Sequence, residues 1–116
     1  MEFKLINPQE ITAAMMDNNT LIKQFVEMYL FQSPIDFQAL QQSIKNENKQ
    51  SIADHAHHIK PTMAYIGAKT LQNNFQELED LGKSGAEMTI IRDKFQRVHT
   101  DFNCMLKELA DFNKTL

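Results

Sequence analysis

The C-terminal quarter of the chain limits the fold most. Ile91, Phe95, Val98, Phe102, Met105, Leu109, Phe112 and Leu116 step by 4, 3, 4, 3, 4, 3 and 4 residues. Residues at that spacing share one stripe of an α-helix, and so long a stripe must bury itself against other helices. The segment before it repeats the pattern. Ile52, Ala56, Ile59, Met63 and Ile66 define a helix from about Lys49 to Ile66, and Leu71, Phe75, Leu78 and Leu81 a helix from about Ala68 to Leu81. Further upstream, a helix beginning near Thr20 is expected to turn Leu21, Phe25, Met28 and Tyr29 inward. Phe37, Leu40 and Ile44 continue the pattern. Ser33-Pro34 lies between these two groups, and Pro34, which lacks an N–H, is expected to kink the chain or to start a new helix.

The punctuation agrees. Asn7-Pro8-Gln9-Glu10 reads as a helix start, with Asn7 as cap, Pro8 at the first helical position and Glu10 closing a capping box. A short helix to about Met16 follows, and Asp17-Asn18-Asn19 breaks it. Asn46 to Asn48 is expected to turn, Gly67 to reverse the chain, and Gly82 to Gly85 to form a loop. Ser84-x-x-Glu87 reads as a second capping box. With only 3 glycines and 3 prolines in 116 residues and no alternating apolar pattern, strands are not expected. The expected fold is all-α: an antiparallel four-helix bundle with an additional short N-terminal helix. Residues 1–116 form one domain, with the bundle core at about 20–116.

Charge and length exclude several classes. The net charge is −3 with no basic block, so nucleic acid is not an expected partner. No stretch approaches the roughly 20 apolar residues of a membrane span, and the first seven residues hold no apolar run of a leader peptide. Cys104 is alone, so no internal disulfide can form and a cytoplasmic location is expected.

The histidines carry the chemistry. Three of the four cluster at His55, His57 and His58. At about 100° per residue, His57 points about 140° away from the apolar stripe of its helix, into solvent. His55 lies about 60° from that stripe, beside the core, and His58 about 120° away on the other flank. His99 sits near a core edge. Pro61, Ala64 and Ala68 follow His57 at i+4, i+7 and i+11, a lane of small or flat residues along which another protein's backbone can approach. Lys60 is a neighbour one turn away. If the chain reverses near Ala68, the residue level with His57 on the next helix is Glu79, which shares a flank with Gln72 and Gln76. A carboxylate or amide there can accept a hydrogen bond from one ring nitrogen and leave the other free as a nucleophile.

The segment Ala56-His57-His58-Ile59-Lys60-Pro61-Thr62-Met63-Ala64-Tyr65-Ile66-Gly67-Ala68 resembles the signature A-H-x-L-K-G-S-x-x-x-L-G-A of histidine-containing phosphotransfer (HPt) domains. Ala56, His57, Lys60, Gly67 and Ala68 match; Ile59 and Ile66 stand for leucines and Thr62 for serine. Leu78-Glu79 resembles the L-E pair of the family's next helix. Helix order and lengths agree from about Thr20 to Leu116. One position departs: Pro61 stands where the family usually has glycine, removing the N–H that would bond the His57 carbonyl and predicting a bend there.

The resemblance implies that His57 accepts a phosphoryl group, that Lys60 balances its charge, and that Glu79 or Gln76 orients the ring, with Pro61, Ala64 and Ala68 on the docking face. It implies partners in response-regulator receiver domains and a hybrid histidine kinase, and a monomeric carrier rather than an autonomous kinase. No glycine-rich phosphate loop is present, so ATP is not the expected donor. No cofactor is expected on this chain; Mg²⁺ is expected on the receiver, because no acidic cluster surrounds His57. Two other readings stay open from the residues themselves. One is an interaction module without transfer. The other is a metal-binding bundle using His55 and His58 at i, i+3, although no carboxylate–histidine pattern recurs on other helices.

Overall fold

The computed structural model describes residues 2–116. Among these residues it holds five helices and no strand: α1 (Pro8–Ala14), α2 (Asn19–Lys45), α3 (Lys49–Tyr65), α4 (Lys69–Ser84) and α5 (Met88–Asn113). Helices α2 to α5 close into a ring in which each packs on its two neighbours, and α1 lies against α2 and α3.

Asparagines start the first three helices. Asn7, Asn18 and Asn48 each accept a hydrogen bond from a backbone N–H in the first turn. The capping box expected at Asn7 does not close. Glu10 turns to Lys69, 3.4 Å away, and the Asn7 N–H donates to the Ile66 carbonyl at 2.9 Å. The second expected box is also absent. Ser84 Oγ donates back to the Leu81 carbonyl, and Glu87 occupies the N-cap of α5 without a side-chain bond.

Pro34 neither ends α2 nor begins a new helix; the helix runs across it. Apolar residues on both sides hold the two halves in one phase. Ile22, Val26, Ser33, Phe37, Leu40 and Ile44 form the buried face. That phase corrects the inward set expected for the first half. Leu21 and Met28 are exposed, and Phe25 and Tyr29 are only partly buried, because the true face lies one residue further on. Phe37 then anchors α2 to α5. Its ring stacks on Phe95 at 5.2 Å and on Phe102 at 4.2 Å, two residues one heptad apart.

The stripes of α3 and α5 are buried as expected, apart from the exposed terminal Leu116. The core also begins earlier than residue 20. Ile6 and Ile11 join the main buried cluster. The Leu5 and Ile6 amides both donate to Glu108 Oε1, which pins the N-terminal segment to α5.

Between α3 and α4 the chain turns at Gly67, whose φ of 69° is the left-handed conformation glycine adopts without strain. The two helices then run antiparallel: Lys60 meets Gln76, His57 meets Glu79, and the start of α3 meets Gly82. Gly82 was expected in a loop, but it is a buried residue within α4, which continues to Ser84 and ends at Gly85. The reason is space. A Cβ at Gly82 would lie 2.7 Å from the Lys49 carbonyl and 3.1 Å from the Ala53 Cβ.

A competition follows for Gly82→Ala. Alanine favours an isolated helix by about 1 kcal/mol over glycine, whereas overpacking costs typically 1–3 kcal/mol. The clash is with backbone, which yields little, so Gly82→Ala is expected to destabilise the protein by about 1 kcal/mol or more in urea unfolding. A stabilised variant would show that α3 and α4 separate freely.

Candidate functional site

His57 projects from α3 at the level of Glu79 on α4. Its side chain is 69% exposed, while that of Glu79 is 3% exposed. The pairing is thus between a ring in solvent and a carboxylate in the interior. His57 Nδ1 lies 3.2 Å from Glu79 Oε1. Lys60 Nζ reaches the same oxygen at 2.7 Å, and Lys83 Nζ reaches Oε2 at 2.6 Å. Lys60 also donates to Gln76 Oε1, and Gln76 donates onward to Asp80 Oδ1 at 2.9 Å.

A charge taken out of water must be paired. Burial alone pushes the Glu79 pKa up. Hydrogen bonds from Lys60, Lys83 and His57, together with the Lys60 charge, outweigh burial and bring it down from 4.5 to about 2. Glu79 is therefore ionised at neutral pH and can only accept hydrogen bonds. A neutral His57 must then carry its proton on Nδ1, which leaves Nε2 with a free lone pair. Two ammonium groups, those of Lys60 and Lys83, thus share one carboxylate beside the ring. His57, Lys60, Pro61, Gln72, Asn73 and Gln76 line an open groove of about 350 Å³ beside it.

The structure brings four of the expected site residues together: His57, Lys60, Gln76 and Glu79. Of the two candidates to hold the ring, Glu79 touches it, whereas Gln76 bonds Lys60. Pro61 lines the groove and Ala64 is exposed, but Ala68 is fully buried at the reversal before α4, so it is not part of the docking lane. Helix α3 continues through Pro61 to Tyr65. His58 is exposed, 3.8 Å from Asp36; His55 is half-buried; the half-buried His99 ring sits 5.1 Å from Phe37. Among the described residues no group of three or more His, Cys, Asp or Glu side chains is arranged to hold a metal ion.

Lys83 was not anticipated. Its signal was its place at i+4 from Glu79, the spacing of helical ion pairs. The burial of Glu79 also had a signal, since it follows Leu71 and Phe75 at i+8 and i+4 on the inward face of α4.

The family model for the Hpt domain matches residues 24–111. The chain belongs to this family, whose members are phosphocarrier modules of phosphorelay signalling rather than kinases. Comparison with curated proteins and with solved structures gave no match. Among the described residues no helix is long and apolar enough to cross a membrane.

The depressed Glu79 pKa makes a stability prediction. Because the folded value lies below the unfolded one, the stabilisation is complete above about pH 4.5 and is lost as pH falls toward about 2. A shift of that size corresponds to about 3 kcal/mol. Glu79→Gln should therefore be less stable than the unsubstituted protein by about that much at pH 7. The gap should close as acid is added across that window. Urea unfolding of both proteins over this pH range measures it, and a gap that does not change with pH would refute the linkage.

Proposed function

We propose that His57 takes a phosphoryl group from the aspartate of one response-regulator receiver domain and passes it to another. The observation that carries this reading is an exposed imidazole whose Nδ1 is held by a buried, ionised Glu79. In that arrangement Nε2 attacks phosphorus in line. The N–P bond forms as the P–O bond to the aspartate breaks, and the aspartate leaves as a carboxylate. The Nδ1 proton stays between the ring and Glu79, whose charge stabilises the positive ring that results. The return step runs the same sequence backward onto the second receiver.

Lys60, one turn from His57, balances the charge of the phosphoryl oxygens. Glu79 orients the ring, and Gln76 holds Lys60. Pro61 and Ala64 keep the approach beside His57 low enough for the receiver's loops to dock. The chain itself needs no cofactor in this scheme, and the receiver supplies Mg²⁺. The protein acts as a monomer in the cytoplasm, between a hybrid histidine kinase and a final regulator.

Purified protein incubated with a phosphorylated receiver should gain acid-labile phosphate, whereas ATP with Mg²⁺ alone should leave it unmodified. His57→Gln should abolish acceptance. Because the ring is 69% exposed, this variant should keep its helicity and change stability by no more than about 1 kcal/mol. Phosphorylation retained in His57→Gln would move the acceptor to another histidine. Lys60→Ala should slow single-turnover transfer about tenfold, equivalent to ~1.4 kcal/mol in the barrier. An unchanged rate at low salt would remove Lys60 from the mechanism.

A further inference from the structure

We propose that Lys83 is a positioning residue that keeps Glu79 on His57 while Lys60 turns to the phosphoryl group, an inference that rests on the transfer reading above. The argument begins with the demands on Lys60. Its ammonium serves two acceptors, Glu79 Oε1 and Gln76 Oε1, and only 18% of its side chain is exposed. A phosphoryl group on His57 is a third acceptor, more highly charged, one helical turn away. If Lys60 were the sole lysine on Glu79, turning toward that group would leave the buried carboxylate held by the ring alone and its Oε2 without a partner, a costly state.

Lys83 removes the conflict. It holds Oε2, the oxygen that neither His57 nor Lys60 uses, at 2.6 Å. It stands at i+4 from Glu79 on the same helix, so its grip does not depend on movement of α3. The terminal torsion of a glutamate is broad, and a bond to one oxygen alone leaves the carboxylate plane free to rotate. Bonds to both oxygens restrict that rotation, with Oε1 on Nδ1. The other carboxylates near the Lys83 ammonium are Asp80 and Asp54, yet the short contact is to Glu79. The side chain of Lys83 is 61% exposed, so its removal leaves no cavity in the core.

The test compares unsubstituted protein, Lys83→Met and Lys83→Arg, each with the same phosphorylated receiver. Two quantities are read: the single-turnover rate of phosphate acceptance, and the ¹⁵N shifts of the His57 ring. Lys83→Met is expected to slow transfer about tenfold and to move the ring shifts from one tautomer toward a mixture. Lys83→Arg should restore both. Transfer by Lys83→Met at the unsubstituted rate would overturn the inference. So would slower transfer with unchanged ring shifts, because the lysine would then act on the partner rather than on Glu79. If Lys83→Met loses helicity, Lys83→Gln is judged by the same two readouts. If the unsubstituted protein accepts no phosphate, the transfer reading fails. The ring shifts then still decide whether Lys83 holds Glu79.

Discussion

The carboxylate of Glu79 is the point on which the site depends. Buried charge is unstable alone, so its presence in the interior requires cationic partners, which Lys60 and Lys83 supply, and requires that α3 and α4 keep their register. That register comes from the Gly67 reversal at one end and the close approach at Gly82 at the other. Backbone conformation and the absence of one Cβ thus set where a carboxylate meets a ring. The ring is left free on its other nitrogen because the first is already engaged.

The rest of the bundle makes that local geometry durable. Phe37 stacks on both Phe95 and Phe102 and ties the long α2 to α5. Glu108 collects two backbone amides from the N-terminal segment, and Asn7 bonds the Ile66 carbonyl beside the reversal. The core is therefore continuous from Ile6 to Phe112. The His57 side chain stands outside this core, so its exposure costs the packing nothing.

Much of this was legible in the sequence because helical spacing reports directly on which face is buried. The stripes of α3 and α5 were read correctly, and the antiparallel register placed Glu79 opposite His57. The errors share a physical origin: local signals lost to tertiary packing. Pro34 could begin a new helix by local rules, but buried residues on both sides held α2 together as one helix, and the inward set of its first half lies one residue further on than expected. Gly82 reads as loop until the neighbouring backbone is seen. Ala68 resembles part of a surface lane until the chain folds it beneath the reversal. Lys83 escaped notice because a lysine on a helix is usually a solvated one. Its meaning depends on the burial of Glu79.

Pro61 acts on both sides of the folding equilibrium. In the helix it removes the amide that would bond the His57 carbonyl, which weakens the native backbone at His57. In the unfolded chain it permits far fewer conformations than the glycine usual in the family, so less entropy is lost on folding. The two effects oppose each other. A turn built this way gives up one hydrogen bond yet has fewer alternative shapes to visit. The backbone beneath His57 is then held as much by conformations the chain is denied as by the bonds it makes.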